Sequence, residues 1–495
     1  MALACSGTPV FAQAPGQMNA TPSASSGAAI TASPLSPLPM APPSAAPAAT
    51  SVVPAPSTPT PAVPTPVAVS PAAPAVAPTA AVPDPATVPA SGATPPAVQT
   101  AKPVKPKPKP PAREWALSSD PTPSFQPETF FTTVKASERY AKIVDAGGWP
   151  TVPGDVGPAT KGAAVSALRR RLAIEGDLPD TFANGQSWDP VLAGAVKHFQ
   201  QRNGLRPTGV VSGATLKALN VPASMRFRQL ASSAQRLAGI NFNFEDRYVV
   251  VNIPSAAVET VENGVIAHRY VAVVGGTDHR SPEVQAKVQV INLNPTWTVP
   301  TSIIKNEIIP KMRKDPAWLA KSRIRILDNK GQEVNASAID WNTQKAVNYT
   351  LRQDSGVHNS LGSIRIGMPN KDAVYMHDTP SKSFFGRADR FLSHGCVRVQ
   401  GVYDLAAWLL EGTPGKDGVA WDKLSLAAVT EREDVKLVKP VPVIWVYMTG
   451  WASADGTVHF ADDVYGVDTV GGAPAEAANR PVDPLPTGTL TRASR

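Results

Sequence analysis

The chain has 495 residues, and 28 of its 53 prolines lie before Arg113, so its folded part is shorter than its length suggests. Much of the formal net charge of +8 sits in the proline-spaced run 102–113 (KPVKPKPKPPAR), a solvated linker and not a basic face, and no helix-turn-helix, zinc-finger or RNA-recognition pattern accompanies it; a nucleic-acid partner is excluded on that basis. No stretch approaches the ~18–20 uninterrupted apolar residues of a membrane helix, which excludes a polytopic membrane protein and predicts no integral membrane segment.

Residues 1–14 (MALACSGTPVFAQA) place small residues at the −3 and −1 positions of a signal-peptidase cut, but lack a basic start and most of an apolar stretch. They read as the remnant of a secretory signal; a disordered leader with no address and a lipid-attached Cys5 are the other readings. If the leader is removed, Cys396 is the single thiol and no intramolecular disulfide can form. Residues 15–120 alternate Ala, Pro, Val, Thr and Ser without hydrophobic period and end in the basic run, a composition expected to stay a disordered, extended tether.

Protein-like patterning follows. Phe130, Phe131, Val134, Tyr140 and Ile143 fall at near-helical spacing before the stop Gly147-Gly148-Trp149-Pro150, and residues 121–155 with 221–245 are read as a helical scaffold. Between them, at 156–220, Val165, Leu168 and Leu172 mark one amphipathic helix, Leu192, Val196 and Phe199 a second, and Leu216 with Leu219 a short third. From Arg247 the period becomes that of strands: Tyr248 to Ile253, then Val258 to Val261 and Val265 to Val274 around Asn263-Gly264, a strong hairpin signal. Further strands are predicted at Val288 to Leu293, Ile364 to Ile366, Val374 to Met376 and Val441 to Tyr447, so 246–468 is expected to be mainly β. The more polar stretch 310–360 reads as an insertion able to cover a site, and 469–495 as a disordered tail.

Chemistry concentrates at Tyr375-Met376-His377-Asp378 and Ser393-His394-Gly395-Cys396-Val397-Arg398. A thiol with a free pKa of ~8.5 is only a few per cent thiolate at neutral pH, so an imidazole that takes its proton raises the reactive fraction and can return that proton to a leaving amine. His377, arriving on a neighbouring strand, is better placed for this than His394, two residues away on the same turn. Gly395 permits a tight turn that presents amide N–H groups to a carbonyl under attack. A zinc site lacks its fourth ligand, so no metal is expected, and a merely structural thiol is a poor account of Ser-His-Gly-Cys-x-Arg.

This motif with its upstream histidine resembles the L,D-transpeptidase catalytic domain of the YkuD family. Asn294-Pro295-Thr296-Trp297, Asn359-Ser360-Leu361-Gly362, Pro369-Asn370-Lys371 and the segment 451–466 resemble the larger Gram-negative members, and 162–219 is similar to the peptidoglycan-binding-like domain those members carry as an insert. The resemblance implies a multidomain protein with a β-sandwich catalytic domain, a small α-helical module and no cofactor. It also implies a monomer in the periplasm, acting on meso-diaminopimelate-containing tetrapeptide stems of peptidoglycan as donor and acceptor and forming 3→3 cross-links with release of D-alanine. By the same resemblance Cys396 is the nucleophile and His377 the base, oriented by the Asp378 carbonyl. Tyr375 and the amides of Gly395 and Cys396 form the oxyanion site. Arg398 pairs with a stem carboxylate, while His394, Ser393, Trp297 and Asn359 support or frame the substrate groove. One departure concerns 225–240, which lacks the tryptophan-rich pattern expected there and leaves the docking of module to scaffold open. Trimming by an L,D-carboxypeptidase, or attachment of a protein to peptidoglycan, would use the same residues. A papain-like peptidase would place its histidine after the cysteine, and a non-catalytic wall-binding protein would not need the intact motif.

Overall fold

The computed structural model describes residues 113–469; the expected signal remnant, the tether up to 112 and the tail from 470 lie outside the described residues. Five helices come first: α1 (Thr129–Asp145), α2 (Ala163–Glu175), α3 (Pro190–Arg202), α4 (Gly213–Leu219) and α5 (Ala223–Leu237). The module is built as its periodicity predicts, with Val165, Leu168, Leu172, Leu192, Val196, Phe199 and Leu219 all buried in one cluster. Helix α3 starts where Asp189 accepts a hydrogen bond from the Leu192 amide and Pro190 occupies the first turn.

Arginine, not tryptophan, docks the module. Glu175, wholly buried at the end of α2, takes Arg171 at 2.7 Å, Arg202 at 2.5 Å and the Tyr140 hydroxyl of α1 at 2.8 Å. Arg171 stacks 3.6 Å over Trp149, Arg226 of α5 lies 4.2 Å over Phe460, and Arg202 donates to the Val458 carbonyl at 3.1 Å. Burial alone raises the pKa of the Glu175 carboxyl, but Arg171 and Arg202 outweigh it and hold the group well below the usual carboxylate range. The open question raised by 225–240 is answered by cations whose partners sit on other elements.

The tether boundary at 120 is corrected: residues 113–120 are packed on the fold. The Ala116 N–H donates to the Gly204 carbonyl and the Arg206 N–H to Glu114, while Trp115 and Leu117 pack against Val271, Val273 and Phe385. Arg269 holds the carbonyls of Ser118, Asp120 and Thr122. Large apolar side chains return at Trp115, and with them the surface whose burial offsets chain entropy.

The β-rich half contains β1 (Arg247–Asn252), β2 (Ala257–Glu262), β3 (Val265–Gly275), β4 (Val284–Leu293), β5 (Trp297–Thr298), β6 (Ile324–Leu327), β7 (Thr350–Gln353), β8 (Ile364–Gly367), β9 (Met376–His377), β10 (Phe391–Ser393), β11 (Val397–Val399), β12 (Glu433–Val446), β13 (Gly450–Ala452) and β14 (Val458–Phe460). The main sheet runs β10-β3-β11-β9-β8-β4-β12-β1-β2, and the β2–β3 pairing brings its far edge back, so it closes into a barrel-like sheet and not the expected sandwich. The Asn263-Gly264 turn makes that closure, both residues having positive φ as the tight hairpin requires. Strand β1 reads as a continuous apolar run because both faces are covered: Val249 and Val251 point into the barrel core, Tyr248 and Val250 against Leu237 of α5 and Phe125.

The insertion is larger than 310–360. It has its own core of Val299, Ile304, Ile308, Met312, Ile326 and Leu351 and its own three-stranded sheet β5-β7-β6, so it begins near Trp297 and returns at Gln353. Its helical run from Thr301 to Lys314 widens to a π-turn at Ile304–Ile308, just before Pro310. Proline has no N–H to offer and crowds the carbonyl four residues back, which the wider turn relieves.

Candidate active site

Strand β9 is two residues long, yet it lies between β8 and β11 and sets the register of the site. Arg365, His377 and Arg398 are aligned across the three strands. Side chains alternate along each strand, so Ile366, Met376 and Val397 enter the barrel core and the aligned trio occupies the other face. Tyr375 and Cys396, each two residues earlier on its own segment, share the trio's face; a hydrogen bond from the Val397 N–H to the Tyr375 carbonyl at 3.1 Å carries the pairing back to them. Imidazole and thiol are diagonal neighbours across the parallel β9–β11 pair.

The electrostatics favour a neutral resting pair. His377 is 5% exposed, and burial, then the charge of Arg398, lower its pKa to about 3 against the opposing pull of the Asp378 and Leu361 carbonyls. Its Nδ1 is buried without a hydrogen-bond partner among the described residues. Burial raises the Cys396 thiol, opposed by the nearby Tyr375 backbone and hydroxyl and by the charges of Arg365 and Arg398. The Tyr375 hydroxyl is pushed well above its ordinary pKa by burial and by the sulfur's charge, so it keeps its proton and acts as a donor. A base that must be unprotonated to work is therefore ready across the physiological range. Arg398→Gln removes a charge that depresses the imidazole, so the acid limb of kcat/KM is expected to move to higher pH, measured as a pH–rate profile.

The turn before Cys396 corrects two assignments. Ser393 is buried and its hydroxyl bonds the Cys396 carbonyl while accepting from the Gly395 N–H at 3.2 Å, so it is a brace of the turn and does not face a substrate. The Gly395 amide is thereby engaged, which leaves the Cys396 amide, without an acceptor among the described residues, as the free backbone donor beside Tyr375. Gly395 itself has φ +108°, a conformation that glycine tolerates.

The remaining predicted residues divide by burial. Asn359 is 1% exposed, with its amide donating to the Pro295 and Asp354 carbonyls and its oxygen accepting from the Leu361 N–H; it clamps two loops and has no edge left for a ligand. Trp297 starts the insertion, and its indole lies near enough to the Tyr375 hydroxyl to oppose the rise that burial gives that group's pKa, which brings the insertion to the site. The buried Asp378 carboxylate takes the Ser363 N–H at 3.1 Å and the Lys382 ammonium. His394 is exposed and reaches out of the turn to Glu307, 2.6 Å away in the π-turn of the insertion. Arg398 makes no ion pair with any described carboxylate, which leaves its guanidinium available.

Sequence reasoning missed Arg365. Its guanidinium lies 4.5 Å over the Tyr375 ring and bonds the Asn292 side chain at 2.7 Å, placing a second cation beside the thiol. An arginine alternating with isoleucines reads as a solvent-facing strand position, and only the register reveals its neighbour. Among the described residues no three His, Cys, Asp or Glu gather as metal ligands.

Residues 246–416 match the family described as "L,D-transpeptidase catalytic domain" (YkuD), and the whole aligned trio, Tyr375 and Cys396 fall inside the match. The barrel is similar to the L,D-transpeptidase catalytic domain over that span. Residues 161–219 match the family described as "Putative peptidoglycan binding domain", which is the helical module. A curated protein of Haemophilus influenzae described as "Putative L,D-transpeptidase" is 33% identical over 245 residues, covering 49% of this chain and 48% of its own; the chain thus matches about half the length of that relative. Among solved structures, an L,D-transpeptidase from Stackebrandtia nassauensis is 14% identical, over 59% of this chain and 97% of its own, with a TM-score of 0.22. One from Mycobacterium smegmatis is 14% identical over 40% and 58%, with a TM-score of 0.20. Likenesses this distant add nothing to the assignment. The chain thus joins a region similar to the L,D-transpeptidase catalytic domain with one similar to a peptidoglycan-binding domain, a pairing that points to the cell envelope, and no described helix is long and apolar enough to cross a membrane.

Proposed function

We propose that this enzyme forms 3→3 cross-links between peptidoglycan stem peptides in the periplasm, working as a monomer and without a cofactor. The observation that carries the reading is the placement of a single described thiol beside an unprotonated imidazole, a protonated phenol and two arginines that no described carboxylate neutralises. Cys396 Sγ adds to the carbonyl of the third residue, diaminopimelate, in a tetrapeptide stem, and His377 takes the thiol proton. The Tyr375 hydroxyl and the Cys396 amide meet the developing oxyanion. The C–N bond to the terminal D-alanine breaks, the imidazolium protonates the departing amine, and a thioester remains. The side-chain amine of a second stem's diaminopimelate then attacks the thioester; a C–N bond forms, the C–S bond breaks and a proton returns to sulfur. Arg398 and Arg365 suit the carboxylates that such stems carry on either side of the scissile bond.

The test uses purified protein and its Cys396→Ala variant with disaccharide tetrapeptide, products being read by mass spectrometry. Cross-linked dimer that disappears in the variant is the expected result. Thiol-dependent tripeptide alone would make the enzyme an L,D-carboxypeptidase. A dimer that survives the substitution would remove Cys396 from the chemistry.

A further inference from the structure

The carbonyl of Gly395 belongs to the same peptide plane as the Cys396 N–H, so whatever fixes one fixes the direction of the other. The Ser281 hydroxyl donates to that carbonyl at 2.7 Å and itself accepts from the Gly275 N–H at 2.9 Å. Ser281 is buried, on the loop that follows β3, and is not part of the cysteine motif. Its own N–H donates to the Tyr465 hydroxyl at 3.1 Å, and that hydroxyl donates to the Gly275 carbonyl at 2.7 Å. Each polar atom in this chain has a partner, and the chain ends on the peptide that precedes the nucleophile.

Tyr465 is in turn held by the end of β12. Its N–H donates to the Tyr447 hydroxyl at 2.8 Å, its ring stacks on Tyr447 with centroids 5.0 Å apart, and the Tyr447 hydroxyl donates to Asp463 at 2.8 Å. Arg236 of α5 bonds the Tyr447 carbonyl at 2.9 Å and pairs with Asp468 at 2.7 Å. Space is equally constrained: a Cβ on Gly275 would lie 2.3 Å from the His279 carbonyl oxygen and 2.4 Å from the Ser281 nitrogen, so the loop closes on β3 only because residue 275 is glycine.

We propose that Ser281, held by Tyr465, is a positioning residue that fixes the Gly395–Cys396 peptide so that the Cys396 N–H faces a carbonyl under attack. The inference rests on the acyl-transfer reading of the site and adds to it the groups that aim its backbone donor. The Gly395 amide is engaged with Ser393, so the direction of one N–H carries the backbone share of oxyanion binding. Ser281 pulls the carbonyl toward the β3 loop, and the trans peptide turns the N–H the opposite way. The C-terminal segment thereby acts on the chemistry although none of its residues touches the reacting atoms.

The experiment compares two reactions of the same thiol in the full chain. Acylation by a carbapenem builds an oxyanion; alkylation by iodoacetamide does not. Ser281→Ala is expected to slow acylation about 10- to 100-fold, less than the loss of a whole oxyanion donor, while alkylation of Cys396 stays within about twofold of wild type. Ser281→Thr, which keeps the hydroxyl, should recover most of the acylation rate, and Tyr465→Phe, which keeps the stacked ring, should lose it as Ser281→Ala does. Unchanged acylation in both Ser281→Ala and Tyr465→Phe would overturn the inference, as would a parallel fall of acylation and alkylation. If wild type is alkylated but neither acylated nor productive on stem peptide, the acyl-transfer reading itself fails, a result distinct from any difference between variants.

Discussion

Replacing His377 by glutamine should lower kcat/KM for stem peptide by about two to four orders of magnitude, the range expected when a general base is lost. Glutamine fills similar space at a position that is 5% exposed and aligned with both neighbouring strands, so the barrel has no reason to open. The shape of the residual activity is as informative as its size. Burial raises the Cys396 thiol, and without the imidazole its proton must leave to water, so the rate of the variant should climb toward alkaline pH as thiolate accumulates. Wild type, whose base is already neutral at pH 7, should be flat over the same interval. A His377→Gln enzyme within tenfold of wild type at neutral pH would show that another group takes the proton; His394, exposed and directed at Glu307, is the one to examine next.

The largest effect on stability is expected at Glu175. Its carboxylate is shared by Arg171, Arg202 and the Tyr140 hydroxyl, and both guanidiniums are almost wholly out of solvent. Glu175→Ala leaves Arg171 buried with no carboxylate and Arg202 with Asp177 alone, and breaking a buried pair from one side costs about 3–5 kcal/mol. Urea unfolding followed by tryptophan fluorescence should show the loss, since Trp149 stacks on Arg171 at this joint. The same carboxyl has a depressed folded pKa, so its contribution is present at neutral pH and is lost as pH falls through the carboxylate range. A variant as stable as wild type would mean that the joint is held by its apolar contacts alone.

How far the sequence could be read follows from the range of the interactions involved. The module helices, the Asn263-Gly264 hairpin and the apolar strands are set by neighbours within about ten residues, and their patterns are visible. The barrel's closure is a pairing between β2 and β3 combined with the long reach of β12 to β1 and β4, and periodicity carries no information on which edges meet. Cys396, His377 and Tyr375 were legible because their residue types and order resemble a family pattern. Arg365, Ser281 and Tyr465 were not: each is an ordinary residue until the register or a hydrogen bond places it, and the Ser281 N–H meets the Tyr465 hydroxyl across 184 residues of sequence. Ser393 and Asn359 show the opposite error, polar residues in a conspicuous motif whose capacity is spent within the fold. The strap at 113–120 was hidden by the proline-rich composition running up to it.

The central claim is that Cys396 carries the acyl group between stems. Its most direct test is to quench the enzyme during reaction with disaccharide tetrapeptide, digest it at acid pH and weigh the peptide that contains Cys396. That peptide should gain the mass of the donor less one D-alanine and lose it on treatment with hydroxylamine, which cleaves thioesters. D-Alanine released at the same rate with that peptide unmodified throughout, or with the acyl mass on another residue, would contradict the account.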